Sequence, residues 1–545
     1  MDMAEDNVIA PAPVGQDSHR SGAKVYLVGG GIASLAAAAF MIRDGDVLGR
    51  DITIFEESGK IGGSLDGAGS PQDGYVLRGG RMIERKYLCT YDLFSSIPTL
   101  DGSKSVTDEI FAWNETIKTS SKSRLVRNGR RQTAPDFGLG ERHILTIERL
   151  VVEPVGMLGR TSIADQFDKA FFKTDFWFMW CTTFAFQPWH SAVEFKRYLV
   201  RFAHMVSGFS RLEGIMRTVY NQYDSLVRPL HKWLDERGVV FALDTEVTDL
   251  RFCASGDAER VDTIMCRSGS RLDDIEVRKN DLVLVTLGSM TEASSLGDMD
   301  HPPLLKGRYD GGAWTLWEQI AASRPQFGRP SAFDEHVDES KWVSFTTTLH
   351  SETFLRIVRD LTGNVPGEGG LATFPESSWL ASIVIPHQPH FIGQPEDVSV
   401  LWGYGLKVDE PGDFVSKPMS ACTGREIMTE ILGHLRVAPE AETEILETST
   451  CIPCMMPFIT SQFLRREKGD RPNVIPEGTA NLAFMGQFCE LPDDVVFTVE
   501  YSIRSAQAAT YALLGLKREP PPVYQGRVDP RVLAKAFMAL HDIHA

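Results

Sequence analysis

The 545-residue sequence has no apolar run long enough to cross a bilayer. Its most continuous one, around Leu35 to Ile42, falls far short of the roughly 20 residues a spanning helix needs. Nor is there an excess of positive charge: Lys and Arg number 56 against 73 Asp and Glu, a net charge of −17. That balance argues against nucleic acid as a partner, because a phosphate backbone is gripped chiefly through cations. It still allows a local basic patch for a lipid headgroup or a carboxylate. Cysteine is sparse: eight residues are scattered from Cys89 to Cys489, a pattern of reduced thiols and not of a disulfide framework. Cys451-Ile452-Pro453-Cys454 has redox spacing without a thioredoxin-like setting, and reads as a buried structural pair. Met1-Asp2-Met3-Ala4-Glu5-Asp6 is acidic, with no basic stretch leading into an apolar core. No signal peptide is read from it, and a soluble, cytoplasmic protein is expected. No cluster of His, Cys and acids has metal-ligand spacing, so no metal is expected.

What is present begins at Lys24, after a Pro- and Gly-containing polar stretch read as a flexible tail (1–22). Val25-Tyr26-Leu27-Val28 reads as a buried strand, Ala33 to Arg43 as an Ala-rich helix, and Asp51 to Phe55 as a second strand. This is a β-α-β unit, the smallest piece of a doubly wound fold. Between the first strand and the helix stands Gly29-Gly30-Gly31-Ile32-Ala33-Ser34. Gly29 permits the tight turn, and Gly31 lets backbone approach a pyrophosphate at the positive end of the helix. Ser34 stands where the fingerprint's third glycine usually does and is small enough for close helix–strand packing. Glu56 closes the second strand, placed to bind ribose hydroxyls. Gly62-Gly63 is a further turn of the kind that runs beside a flavin. FAD is favoured over NAD because a second cofactor-facing segment comes late: Ala483-Phe484-Met485-Gly486-Gln487, then Glu500-Tyr501-Ser502 opening a helix.

The middle of the chain changes character. Ser162 to Phe186 reads as helical and crowded with aromatics, Ser191 to His204 and Tyr223 to Glu236 as further helices, and strand-like runs return at Val239–Leu243, Val261–Cys266, Leu282–Leu287, Ala381–Ile385 and Val398–Tyr404. The expected class is α/β: a Rossmann-like, two-part FAD-binding domain (23–135, 220–300 and 445–517), with a mixed-sheet substrate domain and helical cap (136–219 and 301–444). Pro520-Pro521-Pro522 marks a linker within a C-terminal segment (518–545), whose stripe of Val532, Leu533, Ala536, Phe537 and Leu540 either docks on the body or touches a membrane surface.

Several segments, kept in order, together resemble the oleate hydratase family, once described as myosin-cross-reactive antigens. They include Gly31 to Ala38, Gly62-Gly63-Ser64-Leu65-Asp66-Gly67, Arg78-Gly79-Gly80-Arg81, Phe186-Gln187-Pro188-Trp189-His190, Tyr220-Asn221-Gln222-Tyr223, Thr286-Leu287-Gly288-Ser289-Met290-Thr291 and Gln388-Pro389-His390-Phe391. The resemblance implies a protein that binds FAD yet runs no net redox reaction, adding water across the cis-9 double bond of oleic and related unsaturated fatty acids to give 10-hydroxy acids. It implies that Tyr198 is the proton donor, that Gln222 helps to orient substrate or water, and that His390 and Trp189 lie at the substrate. It leaves monomer and homodimer open. Its glycine-rich segments extend the cofactor set to Ile32, Ala33, Ser64, Arg78, Gly79, Gly80, Arg81, Gly288 and Ser289.

The chain departs from the family at two places. The usual Arg-Glu-Met-Glu reads Arg81-Met82-Ile83-Glu84 here, so Met82 occupies the position of the water-activating base, and a thioether cannot take a proton. Three readings follow: Glu84 substitutes, the flavin edge and backbone carbonyls hold the water, or hydratase activity is lost. The hydroxyl and amide that usually precede His390 fall on Val384 and Pro386, which shifts more of the carboxylate anchoring to His390, with His387 beside it. The aromatic stretch Phe167 to Phe186 becomes a candidate wall for the acyl chain. Rival readings are a flavin oxidoreductase of the amine oxidase or desaturase type, and a non-catalytic fatty-acid-binding flavoprotein.

Overall fold

Four short strands with hardly a polar residue, Val25–Val28, Ile52–Phe55, Leu282–Thr286 and Leu482–Met485, join Val240–Ala242 in one parallel sheet. Runs this apolar suit strands covered on both faces. The computed structural model describes residues 22–80, 82–132 and 136–541; most of the expected N-terminal tail, Arg81 and the last four residues lie outside them. The sheet order places Leu282–Thr286 beside Val25–Val28, with Leu482–Met485 at one edge and Val240–Ala242 at the other. Segments more than 400 residues apart in sequence therefore build one cofactor-facing layer. On one face the helix Ile32–Gly45 packs against the late helix Val499–Leu514. Buried alanines on both, among them Ala37, Ala38, Ala506 and Ala509, permit that approach. The other face is covered by an antiparallel meander, Glu246–Ser255, Ala258–Ser268 and Arg271–Glu276. Its Val247, Leu250, Val261 and Ile264 share a core with Val28, Phe55, Val283 and Val285.

A second, eight-stranded sheet carries most of the substrate side. Its order is Ser295–Leu296, Ser449–Met456, Trp342–Leu349, Ser399–Gly405, Ala381–Val384, Leu371–Thr373, Leu125–Arg127 and Arg130–Gln132, antiparallel except where Thr373 meets Leu125. Four of these strands fall within residues expected in the cofactor domain: Leu125–Arg127, Arg130–Gln132 and Ser295–Leu296 are too short to announce themselves, and Ser449–Met456 contains Pro453. Cys451 and Cys454 lie in that last strand, buried and free.

The central strand, Trp342–Leu349, is buried at every position although Ser344, Thr346, Thr347 and Thr348 carry hydroxyls. Two of those hydroxyls have a purpose. Thr348 accepts the Tyr75 amide at 2.8 Å and Thr346 accepts the Leu77 amide at 2.9 Å. The strand Gly74–Leu77 is thus laid across the sheet by side chains, and the loop that follows, with Gly79, Gly80, Met82 and Glu84, is delivered to the interior.

The aromatic stretch is not one helix. It breaks into single turns at Ile163–Asp165 and Phe171–Lys173 before the helix Asp175–Phe184. Ser162 and Thr174 each cap a new start, accepting the Asp165 and Trp177 amides. Ser191–His204 likewise divides into Ala192–Arg201 and a tighter helical run, Ala203–Arg211. The helix Pro530–Leu540 packs against that run. No helix among the described residues is long and apolar enough to cross a membrane.

Candidate active site

The glycine turn opens on a cavity of about 650 Å³. Gly29, at φ +93°, needs the conformational freedom of glycine. At Gly30 the demand is one of space: a Cβ there would lie 2.8 Å from Glu56 Oε2, which accepts the Gly30 amide at 2.7 Å. Gly31 precedes the helix Ile32–Gly45, whose first turn has neither a capping side chain nor an acid. Its free amides face the cavity, as an anionic pyrophosphate requires. Glu56 Oε1 holds the Ser58 amide and hydroxyl, while Oε2 receives only Gly30, leaving a lone pair for a ribose hydroxyl. These features fit a dinucleotide.

The same cavity is lined by Gly29, Gly31, Ile32, Ala33, Glu56, Gly63, Ser64, Arg78, Gly288, Ser289, Gly486, Gln487 and Ser502, which brings most of the expected cofactor residues together. Ser34 lies beneath it, its hydroxyl 3.3 Å from that of Thr286. Gly62 backs onto Tyr223. Gly79 and Gly80 line the neighbouring cavity instead, and Arg81 is outside the described residues. Sequence reasoning missed Glu57 and Glu292, whose carboxylates accept the Gly312 and Ala313 amides at 2.9 and 3.0 Å. They cap the start of the helix Gly312–Ala321. Burial, followed by the charge of Glu57, pushes Glu292 up to about 8.

A second cavity, about 120 Å³, adjoins the first: Ile32, Ser64, Met290, Gln487 and Ser502 line both. Its wall carries Tyr198, Glu84, Met82 and Gln222. Tyr198 projects from the helix Ala192–Arg201, with its hydroxyl donating to the Val496 carbonyl at 2.6 Å. Phe184, Phe186, Phe202 and Phe463 surround its ring at 5.0 to 5.7 Å between centroids. Burial first, then nearby Tyr87, Glu194 and Asp494, holds the phenol well above its ordinary range, so it keeps its proton. One turn earlier Glu194 fixes the helix by pairing with Arg471 at 2.9 Å and Arg466 at 3.0 Å.

Glu84 ends a two-residue strand paired with Ile215–Met216. Its Oε1 receives Arg201 at 2.8 Å and its Oε2 the Lys86 amide at 2.6 Å, with His204 3.5 Å away. Burial raises its proton affinity, but His204, Arg201 and the Lys86 amide together bring it below the ordinary carboxylate range. Glu84 therefore enters the cavity ionised and weakly basic. Met82, on the same wall, offers no proton acceptor.

A small third lobe, about 50 Å³, continues past Gly79, Gly80, Arg217, Gln222, Val384 and Trp402, which line both spaces, and ends at Pro386, His387 and His390. His390 is neutral at physiological pH: burial pushes it down to about 3, with Arg217 and His387 adding to the effect. Both side-chain heteroatoms of Gln222 are enclosed without a partner. Arg217 was not singled out by its sequence.

Trp189 is not brought to these spaces: its indole donates to the Glu339 carbonyl at 2.8 Å, and it lines none of the three. The aromatic stretch is mostly core. Phe167, Phe171, Phe176, Trp177 and Trp180 pack on one another, and only Phe184 reaches the cavity. Asp413, Glu430 and His434 do converge. Glu430 already accepts the amides of Asp413, Phe414 and Val415 and contacts His434, so the cluster ties a loop to a helix.

A family model described as the MCRA family matches residues 22–511. An oleate hydratase of Streptococcus pyogenes serotype M49 (strain NZ131) is 40% identical over 529 residues, 95% of this chain and 89% of that protein. A linoleate hydratase of Lactiplantibacillus plantarum is 31% identical over 565 residues, 95% and 98% of the two chains. Among solved structures, the cyclohexylamine oxidase of Brevibacterium oxydans IH-35A superimposes with a TM-score of 0.53 at 13% identity, covering 91% of this chain and all of that one. A putrescine oxidase bound to putrescine gives 0.52 at 13%, covering 90% and 99%. At such identity these oxidases share the fold alone.

Proposed function

The chain belongs to the MCRA family, and from that premise we propose that it is an FAD-dependent fatty acid hydratase. It adds water to the cis-9 double bond of oleate and related acids, giving 10-hydroxy acids without net oxidation or reduction. The observation that carries the reading is the junction of two cavities. A glycine-built dinucleotide cavity shares a wall with an apolar slot into which Tyr198, Glu84 and Gln222 project.

The residues suit the reaction in a particular order. Tyr198 holds its proton firmly, so it donates only as the alkene's electron pair reaches for it, and the surrounding aromatic faces favour the positive charge that then develops. The water oxygen bonds the other alkene carbon and loses its extra proton, which returns to the strongly basic phenolate. On this scheme the water needs no strong base, and a protein with Met82 in the usual base position remains competent. Glu84, ionised and tied to Arg201, orders the water without stripping it. FAD, which Gly29, Gly31, Glu56 and Gly486 would hold, would supply polar ring atoms able to hydrogen-bond that water.

Mass spectrometry of oleate after incubation in ¹⁸O-labelled water, with FAD-loaded protein oxidised and reduced, tests the proposal. A product heavier by one labelled water is expected. Unchanged oleate in both flavin states, with linoleate and palmitoleate also inert, would sink it and leave a lipid-binding flavoprotein or an oxidase.

A further inference from the structure

Arg217 is a cation without an anion. It lines both the Tyr198 cavity and the lobe beyond it. Its Nε is enclosed and unpartnered, and among the described residues no carboxylate pairs with its side chain. Arg201, a buried arginine on the same cavity's margin, contrasts with it in having Glu84 at 2.8 Å and Asp494 at 3.5 Å. The buried Arg124, likewise without a carboxylate among the described residues, has its guanidinium taken up by the Leu371, Phe209 and Met179 carbonyls and the Thr183 hydroxyl. Burial alone pushes Arg217 down to about 10, which still leaves it charged at neutral pH.

A desolvated cation with no counter-ion costs free energy unless a ligand supplies the charge. The protein nevertheless holds this one in place. Asn114 clamps its backbone from both sides, accepting the Arg217 amide at 3.0 Å and donating to its carbonyl at 2.7 Å. The preceding Ile215–Met216 is paired with Ile83–Glu84. Around the guanidinium stand the unpartnered amide of Gln222 and the neutral ring of His390, both hydrogen-bonding groups without charge. Val384 and Pro386, on the same wall, have no side-chain donor to contribute.

We propose that Arg217 is the cation that receives the substrate's carboxylate, assisted by Gln222 and His390, in the lobe that Tyr198 does not reach. The proposal rests on the fatty-acid reading of the site, but makes its own claim: the anchoring charge comes from Arg217 and not from the histidine. A guanidinium matches a carboxylate with two parallel donors, and the apolar cavity leading to Tyr198 takes the acyl chain. The site therefore selects the free acid over esters and alcohols of the same length.

The test is calorimetric binding of oleate and of oleyl alcohol to the FAD-loaded wild type, Arg217→Met and Arg217→Lys, with thermal unfolding of each ligand-free protein. Arg217→Met is expected to weaken oleate by about 50-fold, within the range for losing one partner of a buried charge pair. Oleyl alcohol should change by less than about threefold, and Arg217→Lys should fall between for oleate. The Tm of ligand-free Arg217→Met should stay level or rise, since an uncompensated charge has gone. Equal loss of both ligands, unchanged oleate affinity, or a fall in Tm together with the loss would overturn the assignment and make Arg217 structural. Binding needs no turnover, so the two claims separate: wild type that binds oleate through Arg217 yet never hydrates it keeps the anchor and loses the hydratase.

Discussion

The two ends of the substrate cavity treat their polar groups in opposite ways. Around Tyr198 the charges are paired: the phenol has the Val496 carbonyl, and Glu84 has Arg201, the Lys86 amide and His204, although Arg201 Nε and His204 Nδ1 are left without a hydrogen bond. Around Gln222 and Arg217 both heteroatoms of an amide and the Nε of a guanidinium are enclosed with partners missing. A cation withdrawn from water is normally paired, so the second end, where no carboxylate among the described residues meets Arg217, carries a cost that the first avoids. An engaged group is held in one orientation and one protonation state, which is what proton transfer needs. An unengaged group keeps its bonding capacity for a ligand.

The largest effect should come from breaking the engaged end at its donor. Tyr198→Phe removes one hydroxyl and is expected to lower kcat for oleate hydration by about 10²- to 10⁴-fold, the usual range for a general acid. Its stability cost should be only about 1 kcal/mol, the worth of one hydrogen bond. Turnover by mass spectrometry and chemical denaturation of the same variant check both halves; a variant that unfolds easily but still hydrates would remove Tyr198 from the chemistry.

Glu84→Gln comes next, and here stability takes the loss. The neutral amide strands Arg201 without its closest carboxylate, and about 3 kcal/mol of unfolding free energy should go with it. Acid should act in the same direction. Glu84 and Glu194 both have folded-state proton affinities below their unfolded values, Glu194 reaching about 2 beside Arg471, Arg197 and Arg466. Such groups stabilise the fold above the unfolded carboxylate range, near 4.5, and the contribution is lost as pH falls toward 2. For Glu194 alone that is about 3 kcal/mol. Denaturation midpoints measured between pH 6 and pH 3 should therefore fall in the wild type, and fall less steeply in Glu84→Gln. Parallel curves would mean that Glu84 is not held ionised by its partners.

How far the site could be read from sequence follows the same division. The dinucleotide cavity is built from backbone next to glycines, so Gly29, Gly31 and Glu56 announced it locally, and the late Gly486-Gln487 segment supplied the other wall. Gly79 and Gly80 looked the same in sequence but border the substrate side, because a glycine pair reveals close approach and not what approaches. Strands covered on both faces, such as Leu282–Thr286 and Leu482–Met485, were legible as apolar runs. Trp342–Leu349 was not, since two of its hydroxyls serve amides from the distant strand Gly74–Leu77. Arg217 was invisible for a deeper reason: what marks it is the absence of an acid in three dimensions, and no local spacing encodes an absence.

Trp189 sharpens the comparison from outside both ends. The family-like segment around it suggested substrate contact, yet its indole nitrogen is spent on the Glu339 carbonyl and its ring lines none of the three spaces described above. Trp189→Phe keeps an aromatic ring and removes that single donor. The expected cost is about 1 kcal/mol of stability, with KM and kcat for oleate within about twofold of wild type. Steady-state kinetics beside a thermal melt decide it. A KM that rises severalfold at unchanged Tm would place Trp189 at the ligand after all. It would mean that the chain's engaged groups, and not only its unpartnered ones, move to meet the substrate.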